Sequence, residues 1–200
     1  MTRTDRRRNR QNEIDSREVR HSQLVLARQS RKKALWAESR GWAESRGFVW
    51  FSVLDHMIQI PRVGAPDEPV LEGWTVLAGL AAVTSRIRLA TLCAAVGYRN
   101  PAHLAKIAAT VDLISQGRMT FGIGAGFFEE EYRQYGWEFP PMPATRIGQM
   151  EEAVRLILKL WTKPRTTFHG RYFHRTGGQA RAAGGWRAVA RLRQHDIRGY

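Results

Sequence analysis

Only one cysteine, Cys93, occurs in the 200 residues. A lone thiol cannot close an internal disulfide. That excludes the stapled scaffolds of small secreted proteins and makes a cytoplasmic setting the expectation. No run of about 18 uncharged apolar residues is present, so no transmembrane helix and no membrane role are expected. The opening stretch MTRTDRRRNRQNE lacks the apolar segment of a secretory signal, and its Asp5 and Glu13 do not suit a transit peptide. There is no Gly-Lys-Ser/Thr of a phosphate-binding loop and no Gly-x-Ser-x-Gly nucleophile elbow. His103, His169 and His174 lack the spacing of a zinc site, so no metal is expected.

Acidic residues are scarce beside basic ones, 18 against 32, for a net charge of +14. Such a balance points to nucleic acid when it marks a folded surface. Here it belongs to the two ends. Residues 1–47 carry 13 basic and 6 acidic residues, residues 175–200 carry 6 and 1, and the middle carries 13 and 11. Residues 1–30 also contain no Phe, Tyr or Trp, so the large stacking partners for bases are missing. A nucleic-acid partner is therefore disfavoured, and a basic arm that binds phosphate non-specifically is the competing reading.

What is present is a globular middle. The chain is 43% hydrophobic, which suffices for one domain with a core. The expected organisation is a basic, poorly ordered arm over 1–34, a folded part over 35–174 and a basic, disordered tail over 175–200. Just before the apolar text begins stands a tandem hexapeptide, WAESRGWAESRG, from Trp36 to Gly47. Two copies make no solenoid. They read as a local duplication lengthening one helix, with Gly47 as its C-cap.

From Phe48 onward strands and helices alternate. Strands are expected at Phe48–Leu54, Ile87–Cys93 and Met119–Ile123. Helices are expected at Leu71–Thr84, Pro101–Ser115, Phe128–Tyr135 and Thr145–Trp161. Leu71, Trp74, Leu77, Ala78 and Ala81 would form the buried face of the first helix. Ile147, Met150, Val154, Ile157, Leu158 and Trp161 would do so in the last. Asn100 followed by Pro101 is a helix-start signal, and Thr166–His174 reads as a hairpin. Alternation implies an α/β fold of parallel strands joined by right-handed crossovers. Parallel strands deliver the residues that follow them to one shared face.

Three candidate groups gather there: Asp55-His56 after the first of these strands, Leu92-Cys93 at the end of the second, and Gly124-Ala125-Gly126 after the third. Open sheets and barrels place ligand sites at that end. A carboxylate beside an imidazole can bind polar ligand edges and hold a proton near neutrality. The alternative is that Asp55 caps the next segment and His56 is a satisfied, half-buried histidine. Neighbours on a strand point to opposite faces, so the two need not touch. The glycine-rich turn lets backbone approach a ring, but it is not a dinucleotide fingerprint, because Phe127 and Glu129 stand where glycines would be required. The acids Glu129 to Glu131 oppose phosphate. Cys93 reads as a packed core thiol. Arg99, just ahead of the helix start, either meets an anion or is solvated, and solvation is the expectation.

The segment DHMIQIPRVGAPDEPVLEGWTVLAGLAAVTSRIRLATLCAAVGYRNPAHLAKIAATVDLISQGRMTFGIGAGFFEEEYRQYGWEFPP resembles the bacterial luciferase-like superfamily, and more narrowly its branch that uses the deazaflavin coenzyme F-420. The resemblance covers roughly Trp36 to His174. It implies a (β/α)8 TIM barrel, here partial, with Phe48–Leu54 as strand two, Ile87–Cys93 as strand three and Met119–Ile123 as strand four. It implies an oxidoreductase that moves a hydride between coenzyme F-420 and a small-molecule substrate. FMN, with molecular oxygen as co-substrate, is the alternative. By the same resemblance His56 is the catalytic candidate. Asp55, His56, Leu92, Cys93, Gly124, Ala125 and Gly126 would contact the cofactor, and the Leu92–Cys93 peptide would be cis. For full-length members a homodimer is implied. Two departures stand out. Phe127 occupies a position that is acidic in some deazaflavin enzymes. A barrel also needs about 250 residues, whereas this resemblance stops near His174. The expectation is a fragment of about strands two to four, followed by a tail of the composition a shifted reading frame leaves in GC-rich DNA. As an isolated chain it is expected to bind a cofactor weakly or not at all.

Overall fold

A computed structural model describes residues 23–26, 42–61 and 63–177. Its centre is a four-stranded parallel sheet in the order β1 (Gln23–Leu26), β2 (Trp50–Val53), β3 (Arg88–Thr91) and β5 (Met119–Thr120). Each strand lies beside the one before it, so the sheet advances in one direction. Sequential order of this kind belongs to a segment of a (β/α)8 barrel, whereas a doubly wound sheet reverses at a switch point. The register runs Phe51 against Leu24 and Leu89, and Leu89 against Met119.

β1 corrects the sequence reading, which expects strands only from Phe48 onward, about strands two to four of a barrel. Gln23–Leu26 pairs in parallel with β2, so the described strands are one to four rather than two to four. The rest of the 1–34 arm, the first copy of the hexapeptide and residues 178–200 lie outside the described residues. The second copy forms α1 (Trp42–Ser45). Gly47 follows it at φ +81°, and the N–H of Phe48 returns to the carbonyl of Ala43 at 2.9 Å, which is the capping role expected of that glycine.

Helices cover the sheet. α2 (Gly73–Val83) starts two residues later than its apolar pattern suggests, because the Glu72 carboxylate caps it by accepting the N–H of Thr75 at 2.6 Å. Leu71 is left exposed, and Val76 and Leu80 join the buried face beside Trp74, Leu77 and Ala81. A Cβ on Gly73 would sit 2.7 Å from the carbonyl oxygen of Leu54, so the helix can start this close to β2 only on glycine. α3 (Pro101–Ile114) begins as its start signal requires, with Asn100 Oδ1 accepting the N–H of Ala102 at 2.9 Å. α4 (Glu129–Gln134) is short. α5 (Pro143–Thr162) is long, and its buried face is Ala153, Leu156, Ile157 and Leu160, one residue off the expected stripe, with Ile147 exposed. Two short strands, β4 (Ala94–Ala95) and β6 (Ile123–Gly124), extend β3 and β5 beyond a break and pair in parallel with each other. The hairpin appears as β7 (Phe168–His169) and β8 (His174–Arg175).

The core lies between the sheet and α2, α3 and α5, with Val53, Leu77, Leu89 and Leu104 at 0% exposure. Each such side chain contributes about 1.5–3 kcal/mol through burial. Charged groups hold the connections. Arg118 donates to the carbonyls of Ala81 and Thr84, satisfying acceptors left open at the end of α2, and to those of Ile87 and Ser115, which lie just before β3 and just after α3. Glu152 accepts the N–H groups of Arg171, Tyr172 and Phe173 and so fixes the hairpin turn. Among the described residues no helix is long and apolar enough to cross a membrane.

Candidate active site

The C-terminal ends of β2, β3 and β5 meet at one rim. The N–H of Leu92 bonds to the carbonyl of Val53 at 2.8 Å, and that of Ala94 to the carbonyl of Gly122 at 2.8 Å. Thr91 Oγ1 donates to the Gly122 carbonyl at 2.8 Å and accepts its N–H at 3.1 Å. These bonds bring the segments after the strands side by side. Gly124 lies against Cys93, where an added Cβ would be 3.5 Å from the cysteine Cβ. The His56 ring meets the Phe127 and Phe128 rings edge-on at 5.7 and 6.2 Å. Asp55, His56, Leu92, Cys93 and the turn from Gly124 to Gly126 thus share one rim, and the Leu92–Cys93 peptide is cis.

Asp55 and His56 turn apart, as alternation along an extended chain requires. Asp55 is 2% exposed and faces inward. Its carboxylate accepts from Arg99 twice, at 2.7 and 2.9 Å, and from the N–H of Ala95 at 3.3 Å. The same guanidinium reaches Glu72 at 2.7 Å. Arg99 is therefore not a solvated residue but the half-buried centre of a three-charge cluster. Asp55 is its partner, while the cap of the next helix is Glu72. Burial raises the Asp55 carboxyl to about 6, with Arg99 pulling the other way.

His56 turns toward α4. Its Nδ1 lies 2.8 Å from Oε2 of Glu131, a carboxylate with 0% exposure. Glu131 also accepts the hydroxyl proton of Tyr98 and the N–H groups of Met57 and Ile58, the last at 3.1 Å. Desolvation acts to raise its carboxyl, and the bonds from His56, Tyr98 and Met57 outweigh that, so it stays below its ordinary value. Burial, and then Glu131 itself, hold the Tyr98 phenol far above its usual range. Beneath them Tyr98 stacks on Trp137 at 4.7 Å and meets Tyr132 edge-on at 4.9 Å.

Sequence reasoning does not find Glu131, because three identical carboxylates stand in a row. Of these, Glu130 faces out and pairs with Arg133. Nor does it place Cys93, which is exposed at the rim rather than packed in the core. Leu92 is 43% exposed and Phe127 71%, so the rim presents apolar surface over a bed of paired charges. The hairpin sets His169 opposite His174, yet among the described residues no group of three potential metal ligands occurs.

Comparison with known proteins agrees with this architecture. Over 121 residues the chain is 39% identical to the pyrimidine monooxygenase RutA of Allorhizobium ampelinum, a match that covers 58% of this chain and 33% of that protein. The chain thus spans about a third of the length of this curated relative. Among solved structures, the monooxygenase RslO1 from Streptomyces bottropensis is similar at 28% identity and a TM-score of 0.58, covering 72% of this chain and 42% of that one. The coenzyme F420 dependent tetrahydromethanopterin reductase from Methanopyrus kandleri is similar at 25% identity and a TM-score of 0.58, covering 79% and 44%. Residues 38–185 match the model of one family over most of the chain's length, and the chain belongs to that family, the luciferase-like monooxygenases.

Proposed function

We propose that this rim carries part of the site for the tricyclic ring of a flavin or deazaflavin, in an oxidoreductase acting on a small organic molecule. The observation that carries the reading is the exposed apolar surface of Leu92, Cys93 and Phe127 beside His56, over charges that are already paired. A planar apolar ring suits such a surface. A phosphate does not, since Arg99 is taken by Asp55 and Glu72.

When bound, the ring supplies the redox step, and the protein supplies position and protons. Leu92 and Cys93 would lie against the ring face. Gly124, Ala125 and Gly126 would pass it with backbone alone. Asp55 keeps the start of its loop in place through Arg99. His56, 16% exposed, is the group that would hold or take up a proton at the rim.

A flavin is the first choice for the ring, whereas the sequence alone puts the deazaflavin first. The reason is the pyrimidine monooxygenase at 39% identity, since insertion of an oxygen atom is flavin rather than deazaflavin chemistry. The similarity to an F420 dependent reductase supports the deazaflavin as the second reading.

Titration of the 200-residue chain with riboflavin, FMN and coenzyme F-420, followed by absorbance and fluorescence, tests this. Weak, saturable binding is expected. It should be equal for riboflavin and FMN, because the rim holds the ring and not the phosphate, and it should be lost in Leu92→Asp. No saturable change with any of the three, or binding indifferent to Leu92→Asp, would overturn the reading.

A further inference from the structure

We propose that Glu131 is a positioning residue for His56. It fixes the neutral imidazole with its proton on Nδ1 and so leaves Nε2 as a bare acceptor at the rim. This rests on the reading of His56 as the proton-handling group there, and it adds the direction in which the neutral ring can work.

The argument is a count of donors and acceptors. Oε1 of Glu131 receives the N–H groups of Met57 and Ile58, which can only donate. Oε2 receives the Tyr98 hydroxyl and lies 2.8 Å from His56 Nδ1. An ionised carboxylate has no proton to give, so a hydrogen bond at this contact requires one on Nδ1. A neutral imidazole carries a single ring proton, which leaves the Nε2 lone pair open. Among the described residues Nε2 has no hydrogen-bond partner, and the Phe127 and Phe128 rings flank the imidazole. Neutral His56 can therefore accept a proton from a substrate or ring but cannot donate one.

The same count fixes the result of one small substitution. In Glu131→Gln the two backbone N–H groups still require an oxygen, so the amide oxygen takes the Oε1 place. The NH2 group then faces His56 and Tyr98. It donates to Nδ1, which must be bare, and the ring proton moves to Nε2. A change of almost no volume thus reverses the tautomer.

The test is a two-dimensional 15N–1H spectrum of the histidine ring nitrogens in the 200-residue chain, recorded at alkaline pH where imidazoles are neutral. The His56 signals are identified by their loss in His56→Asn. The expected result is a protonated Nδ1 and bare Nε2 in the unaltered chain, and the opposite pattern in Glu131→Gln. A protonated Nε2 in the unaltered chain overturns the proposal by itself, even if the variant does not fold. The same pattern in both chains, with Glu131→Gln folded by circular dichroism, also overturns it. A role for Glu131 in packing alone would not reverse the pattern. Because no cofactor is needed, failure of ring binding at the rim and failure of the tautomer assignment are read separately.

Discussion

Arg99 grips Asp55 with both arms of its guanidinium, at 2.7 and 2.9 Å, and the arm that meets Asp55 Oδ1 also reaches Glu72 at 2.7 Å. Asp55 follows β2, Glu72 caps α2, and Arg99 precedes α3. One side chain therefore ties three successive units of the fold directly beneath the rim. Forked, charge-assisted bonds of this kind fix orientation as well as distance.

Removing the fork while keeping the length, in Arg99→Met, leaves a buried carboxylate with no counter-ion. Breaking one side of a buried pair costs about 3–5 kcal/mol. That loss is expected in urea unfolding at pH 8. It should shrink at pH 5, where Asp55 takes up a proton and needs no partner. Arg99→Lys keeps the charge but not the fork, and should fall between the two. A loss for Arg99→Met that is the same at both pH values would show that Asp55 is not the group left stranded.

Asp55 makes its own mark on the pH profile. Burial, opposed by Arg99, raises its carboxyl to about 6, against about 3.9 for an unfolded aspartate. The folded chain thus holds this proton more tightly than the unfolded chain does. The stabilisation is fully present below about pH 4 and is lost as the pH rises through about 6, amounting to about 2–3 kcal/mol. Asp55→Asn cannot titrate, so its stability should lack that decline. Urea midpoints measured between pH 4 and 7 check this, and parallel profiles for the two chains would contradict it.

What the sequence discloses and what it hides divide along local and non-local lines. Asn100-Pro101 and Gly47 are legible because a cap is decided by a few consecutive residues. The shared rim of Asp55, Leu92 and Gly124 is legible because parallel strands must end together. β1 is not, since Gln23–Leu26 is a four-residue strand in polar text, marked only by its pairing with β2. Arg99 and Glu131 are hidden for the same reason. Nothing in RNP or FFEEEY says which charge turns inward; the packing of α4 against the Met57–Ile58 backbone decides it. In α5 two adjacent apolar stripes compete, and packing against α3 selects the one through Ala153, Leu156 and Leu160.

Glu44, from the second copy of the hexapeptide, works at the opposite end of the pH scale. It accepts the N–H groups of Ser85, Arg86 and Ile87 at 3.0, 2.6 and 2.8 Å, holding α1 to the entry of β3. Desolvation acts to raise its carboxyl, and these bonds outweigh it, bringing it down to about 2. A lowered carboxyl stabilises above its unfolded value, near about 4.3, and that stability disappears as the pH falls toward 2. Glu44→Gln keeps the shape but not the charge. Its acid-unfolding curve, followed by circular dichroism, should be shallower than that of the unaltered chain between pH 4 and 2. An unchanged acid limb would mean that Glu44 does not carry the ionic link.

Three glycines separate backbone strain from steric contact. Tyr132 is packed between two of them: a Cβ on Gly97 would lie 2.5 Å from its ring and 2.7 Å from its hydroxyl oxygen, and one on Gly126 would overlap that oxygen outright. Gly126 also has φ +79°, whereas Gly117, at φ +87°, has nothing within 4 Å of an added Cβ. Gly117→Ala should therefore cost only the left-handed penalty of about 1–2 kcal/mol. Gly97→Ala should cost the overlap alone, about 1–3 kcal/mol. Gly126→Ala should cost more than either, because both act at once. It should also disturb the rim, since Tyr132 can yield only by moving the turn of α4 that carries Glu131. Urea unfolding gives the order of the three, and the His56 ring-nitrogen spectrum gives the local effect. Gly126→Ala no less stable than Gly117→Ala, with an unaltered His56 spectrum, would show that Tyr132 does not press on that glycine.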